Sequence, residues 1–90
     1  MLTPAEIDGM SPIERTAALR DLMAQVYSDR TRKNAICRDL YISVVTLRRW
    51  IRRNEVPEWP LLLLSERAAR VEIESVLRYA QDSLKRLLEA

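Results

Sequence analysis

Ninety residues make one small domain, long enough to bury a single core and too short to place a substrate cleft between two domains. Nearly half the residues are apolar, nearly a third are charged, and there are one Gly and four Pro, a composition that excludes a disordered chain and favours helices. The net charge of +2 is unevenly spread: residues 1–27 carry −2, residues 28–54 carry +6 and residues 55–90 carry −2, the footprint of a module that meets a polyanion with one face.

In chain order, Thr3-Pro4-Ala5-Glu6 places an N-cap, a Pro at the first helical position and a Glu that can close a capping box, predicting a short helix that ends near Gly9. Ser11-Pro12-Ile13-Glu14 repeats the device. Ile13, Ala17, Leu22, Met23, Val26 and Tyr27 then recur at mostly three- and four-residue spacing, which predicts an amphipathic helix over roughly 12–27. Ser28, Asp29 and Arg30 interrupt the pattern as a loop, and Thr31 or Asn34 is placed to cap the next helix, which runs to about Leu40 with Ile36, Cys37 and Leu40 inward. Cys37 is the only cysteine and the chain has no His, so a small packing residue between crossing helices is expected there, with no disulfide and no metal site.

Tyr41 and Ile42 form a turn, and Ser43 is placed to cap the following helix by accepting from the backbone N–H of Val45 or Thr46. So short a connection implies a steep crossing, the geometry of a helix-turn-helix over residues 33–54. On a helical wheel Trp50 and Ile51 fall within about 60° of Leu47, while Val45, Arg48, Arg49 and Arg52 occupy the opposite half. One stripe holds the helix down and the other is open to an anion.

These residues resemble the lambda-repressor-like group of DNA-binding domains, which includes the phage Cro-type and bacterial Xre-type regulators. The resemblance covers roughly residues 19–64. It rests on a small residue at Cys37, an apolar residue and Ser at Ile42-Ser43, packing residues at Leu47 and Trp50, and a Pro shortly after the second helix, Pro57. Tyr41 departs from the pattern, standing where the family usually has Gly in a left-handed conformation, at a cost on the order of 1 kcal/mol for a bulky residue. Either the turn is built differently or the ring gains compensating contacts.

The resemblance implies double-stranded DNA as partner. With the second helix in a major groove, Ser43, Val44, Val45, Arg48 and Arg49 approach base edges: the hydroxyl as donor or acceptor, the valines on thymine methyls, an arginine on guanine O6 and N7. Val44 lies at the edge of the buried stripe and suits core as well as contact. Arg52 and Arg53 near the helix end, and Arg30, Arg32, Lys33 and Asn34 near the start of the preceding helix, are expected on phosphates, which position without specifying sequence. Arg38 is expected to pair with Asp39 or a neighbouring helix, and Trp50 to be core.

Asn54 suits a left-handed C-terminal cap. Residues 58–64 are apolar on every side, predicting a short helix buried all round, and Ser65 is placed to cap a final helix. In that helix Ile73, Leu77, Ala80, Leu84 and Leu87 recur at alternating four- and three-residue steps as a heptad-like seam, which either folds back on its own core or pairs with a second copy. A homodimer is favoured, because one module makes a small interface.

The expectation is thus an all-α chain: a compact five-helix helix-turn-helix domain over 1–65 and an amphipathic dimerising helix over 66–90. Its expected function is that of a transcriptional regulator, most simply a repressor on a pseudo-palindromic operator, of a size that resembles phage- or plasmid-encoded regulators. A second regulatory protein is a possible further partner. Two other readings are a helical adaptor or antagonist that meets an acidic protein, and a DNA-binding accessory factor in recombination or packaging. No signal-like start is visible and the longest apolar run, 59–64, is far short of the ~20 residues that span a bilayer, so a cytoplasmic chain without a membrane segment is expected. Without a nucleophile–base pair, Gly-rich phosphate loop or metal cluster, neither an enzyme nor a cofactor is expected.

Overall fold

Local capping chemistry sets the first half of the chain. In the computed structural model, which describes residues 1–27 and 32–89, the helices are α1 (Pro4–Asp8), α2 (Pro12–Val26), α3 (Arg32–Leu40), α4 (Val44–Arg53) and α5 (Glu58–Glu89), with no strand among the described residues. The Thr3 hydroxyl accepts from the Glu6 backbone N–H and donates to the Glu6 carboxylate, so only half of the expected box forms on α1. On α2 the box is complete, with Ser11 Oγ accepting from Glu14 N–H and Glu14 Oε1 from Ser11 N–H, each at 3.2 Å. The expected loop at Ser28, Asp29 and Arg30 and the cap at Thr31 lie outside the described residues. Asn34 is not a cap: it sits inside the first turn of α3.

The core joins Ile7 of α1, Leu19, Leu22 and Met23 of α2, Ile36, Cys37 and Leu40 of α3, Leu47 and Trp50 of α4, Val56, and Leu61 and Leu64 of α5. The buried stripe of α2 is rotated from the one expected. It is centred on Leu19, while Ile13 is 70% exposed and Ala17 is exposed. The cause is Thr16, which reads as polar in sequence yet is buried, because its hydroxyl donates to the Pro12 carbonyl at 3.2 Å and needs no water.

α3 and α4 meet through the connection at residues 41–43. Tyr41 adopts φ 55°, and Ile42 N–H donates to the Cys37 carbonyl at 3.0 Å, so α3 closes on a left-handed residue. The conformation is the one Gly would favour, and the Tyr41 ring is 96% exposed, so no core contact offsets its strain. Tyr41→Gly is therefore expected to stabilise the protein. Relief of ~1–2 kcal/mol of left-handed strain outweighs the ~0.5–1 kcal/mol of added unfolded-state entropy, which leaves a net gain of roughly 0.5–1 kcal/mol. A rise in the urea midpoint at constant m checks it; a fall would mean that the ring makes stabilising contacts. α4 ends on a second left-handed residue, Asn54, at φ 53°, as its sequence position suggests.

The break expected at Ser65 is absent. α5 runs unbroken for 32 residues, because no Gly or Pro follows Pro60 and the Ser65 hydroxyl, 3% exposed, accepts from Leu2 N–H at 2.6 Å instead of capping. Pro60 is tolerated within the first turn, where its missing N–H has no partner to lose. The start of α5 is not buried all round either. Leu61 and Leu64 face α1 and α2, Leu62 and Leu63 are half-buried, and Trp59 is 45% exposed with its ring edge-on to Trp50 at 5.8 Å. Beyond the core α5 projects: from Arg70 to Glu89 every residue except Ser83 is exposed. The radius of gyration is accordingly 16.4 Å, against about 12 Å for a compact chain of this length. The chain is not compact, and its apolar seam is not folded back on its own core. No helix among the described residues is long and apolar enough to cross a membrane.

Candidate nucleic-acid interface

Ser43 starts α4 by accepting from Thr46 N–H at 3.1 Å, and its hydroxyl also meets Thr46 Oγ1 at 3.0 Å. That fixes the first turn, and the side chains then divide as the wheel predicts. Leu47 and Trp50 are buried, Val44 and Ile51 are half-buried against the core, and Arg48, Arg49, Arg52 and Arg53 are exposed. Val45, in the midst of the arginines, is 72% exposed. Val44 thus takes the core side of its two alternatives.

The arginines form two concavities that share Arg48 and Arg52. One, of about 340 Å³, is lined by Val45, Arg48, Arg49, Arg52 and Arg53. The other, of about 700 Å³, lies between α2, α3 and α4, with Arg20, Arg32, Lys33, Asn34, Arg48 and Arg52 around a floor of Met23, Leu47 and Ile51. The structure therefore gathers Arg32, Lys33, Asn34 and Arg52 beside Arg48. Ser43 and Val44 line neither concavity, and Arg30 lies outside the described residues. Arg20 was missed by sequence reading, because it belongs to α2 and to an acidic stretch of chain; only the packing of α2 on α3 brings it to the groove.

The electrostatics of this face are unfavourable without a partner. Arg15, Arg38, Arg67 and Arg70 each lie within 4 Å of a carboxylate, whereas no ion pair or hydrogen bond among the described residues engages the side chains of Arg48, Arg49, Arg52 or Arg53. Arg48 with Arg52, and Arg49 with Arg53, are like charges one turn apart, each pair costing ~0.2–0.5 kcal/mol. The negative helix C-terminus offsets this for Arg52 and Arg53. It does little for Arg48 and Arg49, which lie one turn further from that end.

A second cluster ties α2, α3 and α5 together. Asp39 Oδ2 accepts from Tyr27 OH at 2.7 Å and from Arg67 Nη1 at 2.5 Å, tying the end of α2 to α3 and α5, and Arg38 lies at 3.8 Å from its other oxygen. Arg38 thus pairs as expected, but the dominant partner is Arg67, 28 residues away. The Tyr27 hydrogen bond, followed by the charge of Arg67, holds the Asp39 carboxyl below its usual 3.8; burial, then the same bond, pushes Tyr27 up to about 12. A depressed carboxyl contributes stability that is present above 3.8 and lost as pH falls, and a raised phenol contributes stability that is present below 10 and lost as pH rises towards 12. Thermal unfolding followed by circular dichroism is expected to show both limbs. Asp39→Asn should flatten the acid one, and an unchanged acid limb would mean that Asp39 does not carry it. Cys37, which burial pushes up, packs in the core as a small residue.

No protein-family model matches the chain, and comparison with curated proteins and with solved structures finds no match.

Proposed function

We propose that the protein is a sequence-specific DNA-binding transcriptional regulator of the helix-turn-helix kind, similar to the lambda-repressor-like group, and that it represses by occupying an operator. α3, the turn at residues 41–43 and α4 are the motif, and α4 is the element that enters the major groove. The observation that carries this reading is the α4 face: four exposed arginines, without an ion pair or side-chain hydrogen bond among the described residues, around an exposed valine. Arg48 and Arg49 suit guanine edges and Val45 a thymine methyl. Arg32, Lys33, Arg52 and Arg53, with Arg20 added, suit phosphates. The role is binding, without catalysis or cofactor, in the cytoplasm. Two copies joined through α5 would read a pseudo-palindrome with half-sites about 34 Å apart.

Gel shifts against genomic fragments at two salt concentrations test the reading. A site-selective shift that weakens by orders of magnitude between about 50 and 200 mM salt is expected for a protein that neutralises several phosphates. Absence of any shift at low salt overturns it and favours a protein partner with an acidic surface.

A further inference from the structure

We propose that the concavity between α2, α3 and α4 is a binding site for a small amphipathic anion, a flat apolar body that carries one carboxylate or phosphate group, and that this ligand competes with a polyanion for the α4 arginines. Binding depends on the cavity alone; the antagonism to DNA rests on the nucleic-acid reading.

The cavity has the size and the layering of a ligand site. Its volume is about 700 Å³, within the range of about 300–1,000 Å³ in which proteins hold small molecules. Met23 and Leu47, both core residues, and half-buried Ile51 line its floor. They belong to α2 and α4, whose places are fixed by the shared core, so the floor exists before any ligand arrives. Around it stand Arg20 of α2, Arg32 and Lys33 of α3, and Arg48 and Arg52 of α4, with no carboxylate among the described lining residues. Among the described residues no ion pair or hydrogen bond engages the side chains of Arg20, Lys33, Arg48 or Arg52.

The two layers together select the class of ligand. An inorganic phosphate, or the phosphate backbone of a duplex, neutralises the rim and leaves the floor wet. A neutral hydrocarbon covers the floor but takes arginines out of water without a counter-charge, which is costly. A molecule with both parts satisfies both layers. Its acid group accepts charge-assisted hydrogen bonds from the guanidinium forks, while its flat body lies on Ile51 and against the guanidinium faces.

The antagonism follows from shared walls. Arg48 and Arg52 line both this cavity and the one beside Val45. An acid group that holds them neutralises two of the charges a polyanion would use. Ligand and DNA then weaken each other's binding by the same factor, as linkage requires.

Amide NMR spectra of the intact chain, titrated with naphthoate, test the site, with naphthylmethanol and inorganic phosphate as the two half-ligands. Naphthoate should bind saturably at one site and shift the backbone amides of Arg20, Met23, Leu47 and Ile51 most. It should bind at least about tenfold more tightly than either half-ligand, since hydrogen bonds to charged groups are worth that much or more. Arg20→Ala, at an exposed position, should weaken naphthoate binding about tenfold with the rest of the spectrum in place. Equal affinity for phosphate would mean a plain anion site, equal affinity for naphthylmethanol a plain apolar one, and shifts centred on residues 73–88 a ligand lying on α5. Each of these overturns the site, as would no shift at millimolar naphthoate or undiminished binding by the variant. Fluorescence anisotropy of a labelled duplex, with acetate at equal ionic strength as the control, reads the antagonism separately: saturating naphthoate should weaken DNA binding about tenfold. Naphthoate in the cavity with unchanged DNA affinity overturns the antagonism alone. A chain that binds naphthoate there but no DNA at low salt overturns the nucleic-acid reading, and the antagonism with it, and leaves the site standing.

Discussion

Trp50→Ala is expected to cost about 3–5 kcal/mol of folding stability, the range for removing a buried aromatic residue. Trp50 is 6% exposed, and it is the residue on which three parts of the protein converge: the inner stripe of α4, the core built by α2 and α3, and the start of α5 through the edge-on ring of Trp59. Truncation removes the transfer free energy of the indole, opens a cavity beneath α4 and abolishes the aromatic pair, itself worth ~0.5–1.5 kcal/mol. Domains of this size have some 5–15 kcal/mol in total, so the variant should lose a large share of its urea resistance. Trp59→Ala serves as the comparison. Its ring is 45% exposed, so it can leave no closed cavity and should cost less than half as much. Equal costs in urea denaturation would mean that the two rings are held equally and that α4 is not fixed mainly from beneath.

Arg49→Ala is expected to leave stability nearly unchanged and to weaken binding to the preferred DNA sequence by ~1–3 kcal/mol, about 5- to 150-fold, with loss of preference at one base position. Arg49 is exposed, has no ion pair among the described residues, and its neighbour one turn on is Arg53, so folding loses little when it is removed. A bidentate contact with guanine would be lost whole. Lys33→Ala, at the groove's rim, should instead weaken binding to all sequences alike and reduce the salt slope by about 1. Competition titrations by fluorescence anisotropy separate the two. If Arg49→Ala lowers affinity for every sequence equally, Arg49 is a phosphate contact and Arg48 is left as the base reader.

How much of this was legible in the sequence follows from the range of the interactions involved. Ser11 with Glu14, Ser43 with Thr46, and Asn54 after α4 act within one turn, so composition at those positions already specifies the helix ends. The two stripes of α4 were legible for the same reason, since apolar and basic residues alternate with the helical period. The phase of α2 was not, because Thr16 hides its hydroxyl in its own helix and Ile13 is left outside. Ser65 has the residue type of a cap, but the Leu2 backbone, 63 residues away in sequence, claims its oxygen. Arg20 in the groove and Arg67 on Asp39 depend on packing between helices distant in sequence, which no local pattern encodes. Tyr41 shows the converse. The left-handed backbone there follows from the α3–α4 connection, and the residue type resists it.

Selection of bound sites from a random pool of duplex DNA tests the central claim most directly, that α4 reads base sequence through its arginine face. Successive rounds should enrich a short G-containing element, present as an inverted repeat if two copies bind together, and the Arg48→Ala, Arg49→Ala double variant should enrich nothing. A pool that stays random with the unaltered protein, or an element that the double variant enriches equally well, would contradict it.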